Sequence, residues 1–101
     1  MENRDCVYRC LDPRGNPPDI EYLPPSKRLA ALDDKTVFFV DIGKPGSDVL
    51  LKTAMEMMEK RVPSARLVYY PKNTSFMKPE SEEWWKTIEE RADAAIVALG
   101  D

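Results

Sequence analysis

The constraint that most limits this chain is the order of apolar segments between Thr36 and Leu99. Thr36-Val37-Phe38-Phe39-Val40 is a β-branched and aromatic run with no alternation, as expected of a strand covered on both faces. After the loop Asp41–Ser47, residues 48–61 carry apolar side chains at helical spacing. Leu51, Ala54, Met55, Met58 and Val62 fall on one side, and Lys52, Glu56, Glu59 and Lys60 on the other. Ser47 or Asp48 is placed to cap this helix, and Pro63 stops it. Arg66-Leu67-Val68-Tyr69-Tyr70 predicts a second strand, and residues 79–92 a second helix. Its first turn would hold Glu80, Glu82 and Glu83, and its apolar side Trp84, Trp85, Ile88 and Ala92. Ala94-Ala95-Ile96-Val97-Ala98-Leu99 predicts a third strand of buried type. The expected fold is α/β: a β-α-β-α-β half of a doubly wound, Rossmann-like parallel sheet with right-handed crossovers.

Residues 1–35 differ in texture. Five of the nine prolines lie there, in turn-forming and polyproline-type stretches such as Asp12–Pro18 and Leu23-Pro24-Pro25. The expected division is an irregular, Pro-rich N-terminal arm over 1–35 and a three-stranded half-domain over 36–101. At 101 residues the chain is one small domain.

Composition removes several function classes. Histidine is absent, so the commonest general base, the usual zinc ligand and the Ser-His and Cys-His pairs are unavailable. Cys6 and Cys10 form a lone C-x3-C, which predicts reduced thiols rather than a metal site. The net charge is −3, and six acids against two bases between residues 79 and 93 account for the acidity. No basic stripe points to nucleic acid, and no apolar run or leader points to a membrane or to export. The expectations are a cytoplasmic protein with no metal and no cofactor, acting on a small molecule.

In open parallel sheets, ligands sit beyond the carboxyl ends of the strands where strand order reverses. Two segments lead there: Asp41–Asp48 after the first strand, and Gly100-Asp101 after the third. Gly43 and Gly46 allow close backbone approach, Ser47 opens a helix N-terminus, and Lys44 adds positive charge. These are the ingredients of an anion site, and equally of a plain strand-to-helix turn that needs glycine. The spacing is neither G-x-G-x-x-G nor that of a P-loop. Asp41 and Asp101, at neighbouring strand ends, read either as a pair of acid–base or ligand-orienting groups or as solvated loop carboxylates. The candidate site is therefore Asp41 and Asp101 as catalytic groups, with Gly43, Lys44, Gly46, Ser47 and Gly100 binding the substrate or anion.

Three segments bring a family into view: Leu32-Asp33-Asp34-Lys35-Thr36-Val37, Asp41-Ile42-Gly43-Lys44-Pro45-Gly46-Ser47-Asp48-Val49-Leu50-Leu51, and Asp93-Ala94-Ala95-Ile96-Val97-Ala98-Leu99-Gly100-Asp101. Over roughly residues 8–101 the chain resembles the N-terminal part of the UGSC-motif (seleno)proteins, which are similar to the selenoprotein B subunits of glycine, sarcosine and betaine reductases. The most specific parts are the Gly-Lys-Pro loop and the final strand with its Gly-Asp. In that family the Gly-Asp is followed directly by Sec-Gly-Ser-Cys or Cys-Gly-Ser-Cys and then by the rest of the fold. The sequence stops one residue short of that motif.

The resemblance thus implies one of three situations: a UGA codon read as stop, a second chain that begins near the motif, or cleavage before the cysteine. It implies nucleophilic chemistry, in which a selenolate or low-pKa thiolate attacks carbon or sulfur and a second cysteine resolves the adduct. The expected function is the N-terminal half or small subunit of a thiol- or selenol-dependent reductase or lyase acting on a small organic substrate. It would be inactive alone and partnered by a chain or segment bearing the Cys/Sec-Gly-Ser-Cys motif. Cys6 and Cys10 do not match that motif. The competing expectation is a stand-alone anion-binding or assembly module that oligomerises through its open sheet edge.

Overall fold

The computed structural model describes residues 6–100. Its elements are β1 (Thr36–Asp41), α1 (Ser47–Arg61), β2 (Arg66–Pro71), α2 (Glu82–Arg91) and β3 (Ala94–Ala98). The three strands form one parallel sheet in the order β2-β1-β3. Val37 pairs with Leu67 on one side and with Ala94 on the other.

β1 is central, and its side chains alternate between two cores. Val37 and Phe39 join Leu51 of α1, with Ala54, Met55, Met58, Leu67, Tyr69, Ala94 and Ala98 packed around them. Phe38 and Val40 join Trp84 of α2, with Val68, Tyr70, Ile88 and Ala92 around them. One helix thus lies against each face, which is why β1 reads as an unbroken apolar run. The second core is aromatic: Tyr70 stacks on Trp84 with ring centroids 5.0 Å apart, and Phe38 tilts against Tyr70 at 5.2 Å. The Trp84 indole N–H donates to the Pro71 carbonyl at 3.2 Å. Trp85 stays 57% exposed and meets Trp84 edge-on.

The helices begin differently from the sequence reading. The N-cap of α1 is Gly46, without a side-chain cap, and Ser47 is already helical. The reason is that the Ser47 hydroxyl oxygen accepts the Leu99 amide at 3.2 Å instead of capping its own helix. α2 starts at Glu82 rather than 79, because Ser81 takes the N-cap position and accepts the Trp84 amide at 3.3 Å. Glu80 is drawn out of the first turn. Its Oε1 accepts from the amides of Asn73 and Thr74, at 2.6 and 2.8 Å, and from the Thr74 hydroxyl at 3.0 Å. Burial raises the Glu80 carboxyl, but these donors together with Lys72 outweigh it and leave the pKa below its ordinary value.

The third strand also departs from expectation. Its sequence predicts burial, yet the three inner residues of β3 are exposed, Val97 at 58% and Ile96 at 38%. α2 packs over Val68, Tyr70, Phe38 and Val40, which lie on β2 and β1, and the core under α1 takes only Ala94 and Ala98 from β3, so the middle of the β3 edge is left bare on both faces.

Residues 6–35 hold no helix or strand, and up to Leu29 their large apolar side chains are exposed, Leu11 at 98%. The turn expected after Asp12 is present: that carboxylate accepts both the amide and the guanidinium of Arg14. The body takes hold of the chain at Leu32, which packs on the first core. Close by, Ser64 bridges the Asp34 amide and the Asp33 carboxylate. No helix among the described residues is long and apolar enough to cross a membrane.

Candidate functional site

The three strands run parallel, so their carboxyl ends share one edge of the sheet, and hydrogen bonds stitch those ends together. The Ile42 amide donates to Ala98 O at 3.0 Å, joining the exits of β1 and β3. The Lys72 amide donates to Asp41 O at 2.8 Å, joining the exits of β1 and β2. The Leu99 amide reaches the Ser47 hydroxyl, tying the end of β3 to the first turn of α1. Ser47 is fully buried.

Asp41 closes β1 and is 6% exposed. Both of its oxygens are engaged: Oδ1 accepts the Gly43 amide at 2.7 Å, and Oδ2 accepts the Tyr69 hydroxyl. Donation to Asp41, with burial and the nearby charges of Asp41 and Asp48, pushes the Tyr69 phenol up to about 12. The Lys52 ammonium sits over the same ring, 4.9 Å from its centroid.

The loop from 42 to 46 depends on its glycines. Gly43 and Gly46 both hold left-handed backbone, with φ of +90° and +91°. At Gly43 an added Cβ would meet only ordinary contacts, the nearest 3.7 Å away at the Phe76 amide nitrogen, so backbone conformation rather than space demands glycine there. The Ser47 amide donates back to Lys44 O and the Leu50 amide to Gly46 O, both at 3.1 Å, which winds the loop into the helix. The Lys44 ammonium lies 5.4 Å from the Phe76 ring centroid, in cation–π contact with the neighbouring β2–α2 loop. That loop is drawn together by Lys72, whose ammonium donates to Ser75 O at 3.0 Å and to Lys78 O.

Among the residues singled out from sequence, Asp41, Gly43, Lys44, Gly46, Ser47 and Gly100 all lie at this edge, and Gly100 is exposed. Asp101 lies outside the described residues. Sequence reasoning missed Tyr69 and Phe76. Tyr69 becomes legible only once the strand register is known: Phe39 pairs with Tyr69 and Asp41 with Pro71, which places Tyr69 on the same sheet face as Asp41. Phe76 carried no signal, because a loop aromatic has no periodicity to read. Chemically, the edge offers a helix start with main-chain amides, an adjacent lysine and a carboxylate committed to internal donors.

The fold and this edge define a small α/β unit whose helix-start loop follows the central strand of a parallel sheet. The chain belongs to the UGSC family, whose model matches residues 9–101. No curated protein and no solved structure matches it.

Proposed function

We propose that this chain is the N-terminal half or small subunit of a thiol- or selenol-dependent reductase or lyase acting on a small organic substrate. Its sheet is one half of a doubly wound, Rossmann-like fold, a reading favoured by the opposed helices and the β2-β1-β3 order. The nucleophile is a Cys or Sec in a Cys/Sec-Gly-Ser-Cys motif, carried by the following segment or by a partner chain. This motif and the kinship with the selenoprotein B subunits come from the resemblance described above.

The observation that carries the proposal is the hydrogen bond from the Leu99 amide to Ser47. It holds the end of β3 against the N-terminus of α1, which supports a reading in which the motif that follows β3 in the family lies beside that helix start. A thiol or selenol placed there is stabilised as its anion by the amides and the helix dipole, which lowers its pKa and raises the fraction poised to attack. Gly43, Lys44, Gly46 and Gly100 then form the binding surface for an anionic substrate group. Asp41, with both oxygens bound internally, shapes that surface, and acid–base work falls to Asp101.

Co-expression of the chain with the motif-bearing segment or partner tests this. The expected result is a stable complex that consumes substrate, an isolated chain that does not, and loss of substrate affinity in Lys44→Ala. An isolated chain that turns over substrate contradicts the proposal. The exposed Val97 and Ile96 on the edge strand favour one other reading, an anion-binding module that assembles through β3. That reading predicts a concentration-dependent homodimer abolished by Val97→Lys.

A further inference from the structure

We propose that Tyr69 is a positioning residue for the loop that carries Lys44: its hydroxyl orients the Asp41 carboxylate, and that carboxylate holds the Gly43 amide. The inference rests on the reading of residues 42–46 as the binding element. It adds a residue from a different strand to the machinery.

Each Asp41 oxygen has its own donor, Tyr69 for Oδ2 and Gly43 for Oδ1. A carboxylate held at one oxygen alone can rotate about its terminal torsion, which is broad and shallow. Held at both, it keeps one plane and so fixes the direction of the Gly43 amide. Gly43 needs that help, because left-handed backbone is only one of several conformations open to glycine. The Tyr69 ring is itself held, by the core around Val37, Phe39 and Leu51 and by the Lys52 ammonium over its face. A phenylalanine would fill the same space, so the hydroxyl is what the position adds. The phenol is protonated, and hence a donor, throughout the neutral range, and its bond to Asp41 extends that range upward.

Heteronuclear NMR on the 101-residue chain decides the matter without substrate or partner, so failure of the reductase or lyase reading leaves this test intact. The wild-type chain should show scalar coupling across the hydrogen bond from the Gly43 nitrogen to the Asp41 carboxyl carbon. In Tyr69→Phe, exchange of the Gly43 amide should quicken about tenfold, equivalent to about 1.4 kcal/mol. The scalar coupling from the Gly43 nitrogen to the Asp41 carboxyl carbon should also weaken in that variant, because the carboxylate has lost the donor that fixes its plane. A role confined to packing would leave that coupling at its wild-type size. A folded Tyr69→Phe chain with wild-type exchange and coupling overturns the proposal. Should the variant not fold, the wild-type measurement decides: absence of the coupling overturns it as well.

Discussion

β1 and β3 are neighbours in one sheet with equally apolar sequences, yet they stand in opposite environments. From Val37 to Val40 every side chain of β1 is buried, alternately beneath α1 and α2. In β3 only the end residues Ala94 and Ala98 are partly covered, while Ala95, Ile96 and Val97 are exposed. The difference teaches that an apolar strand records the cover it is built to receive. β1 receives its cover from this chain's own helices. In our proposal β3 receives its cover from the motif-bearing segment or partner, and the same contact brings the nucleophile to the site.

That contrast can be tested in order of effect. Truncation in β1 should cost most: Phe39→Ala empties a fully buried site and should lower stability by about 3–5 kcal/mol. For a domain of this size that is a large part of the total, seen as a collapsed denaturation midpoint. A loss under about 1 kcal/mol would show that β1 is not the centre of the core.

Ser47→Ala should come next. It removes the acceptor for the Leu99 amide, a local loss of about 1–3 kcal/mol, read as faster hydrogen exchange at Leu99. Unchanged exchange would detach the end of β3 from α1 and weaken the functional reading with it.

A third test uses pH. Folding raises the Tyr69 pKa from 10.0 to about 12, so this stabilisation is complete below pH 10 and is lost as pH climbs toward 12. Over that interval the wild-type melting temperature should fall more than that of Tyr69→Phe. Parallel curves would contradict the Tyr69–Asp41 bond.

The smallest effect is the most discriminating. In the chain alone, Val97→Ala should change stability by no more than about 0.5 kcal/mol, as at other exposed positions. In the presence of the covering segment or partner the same substitution should cost markedly more, measured as weakened association.

The body of the fold was legible in the sequence because the periodicities were. The unbroken run at 36–40 marked a two-sided strand, and Leu51, Ala54, Met55 and Met58 marked the face of α1. Where side chains have two uses, periodicity could not choose between them. Ser47 looks like a helix cap but serves β3, and Glu80 looks like a first-turn acid but gathers the Asn73–Thr74 loop. The exposure of β3 was illegible for a related reason: composition reports how apolar a strand is, and the cover over it depends on where the helices pack. At the site, the place of the glycine loop at the sheet edge follows from the element order. The tie from Tyr69 to Asp41 depends on strand register, which a single sequence leaves open.

The most direct test of the central claim is the pKa of the first Cys of the Cys-Gly-Ser-Cys motif. It is obtained from the pH dependence of its alkylation by iodoacetamide, in the protein or complex where the motif meets this chain. The account predicts a value below the ordinary thiol value of about 8.5, rising toward it when Ser47→Ala releases the end of β3 from α1. A thiol that titrates near 8.5 in the wild type, no different from a free motif peptide, would contradict the account.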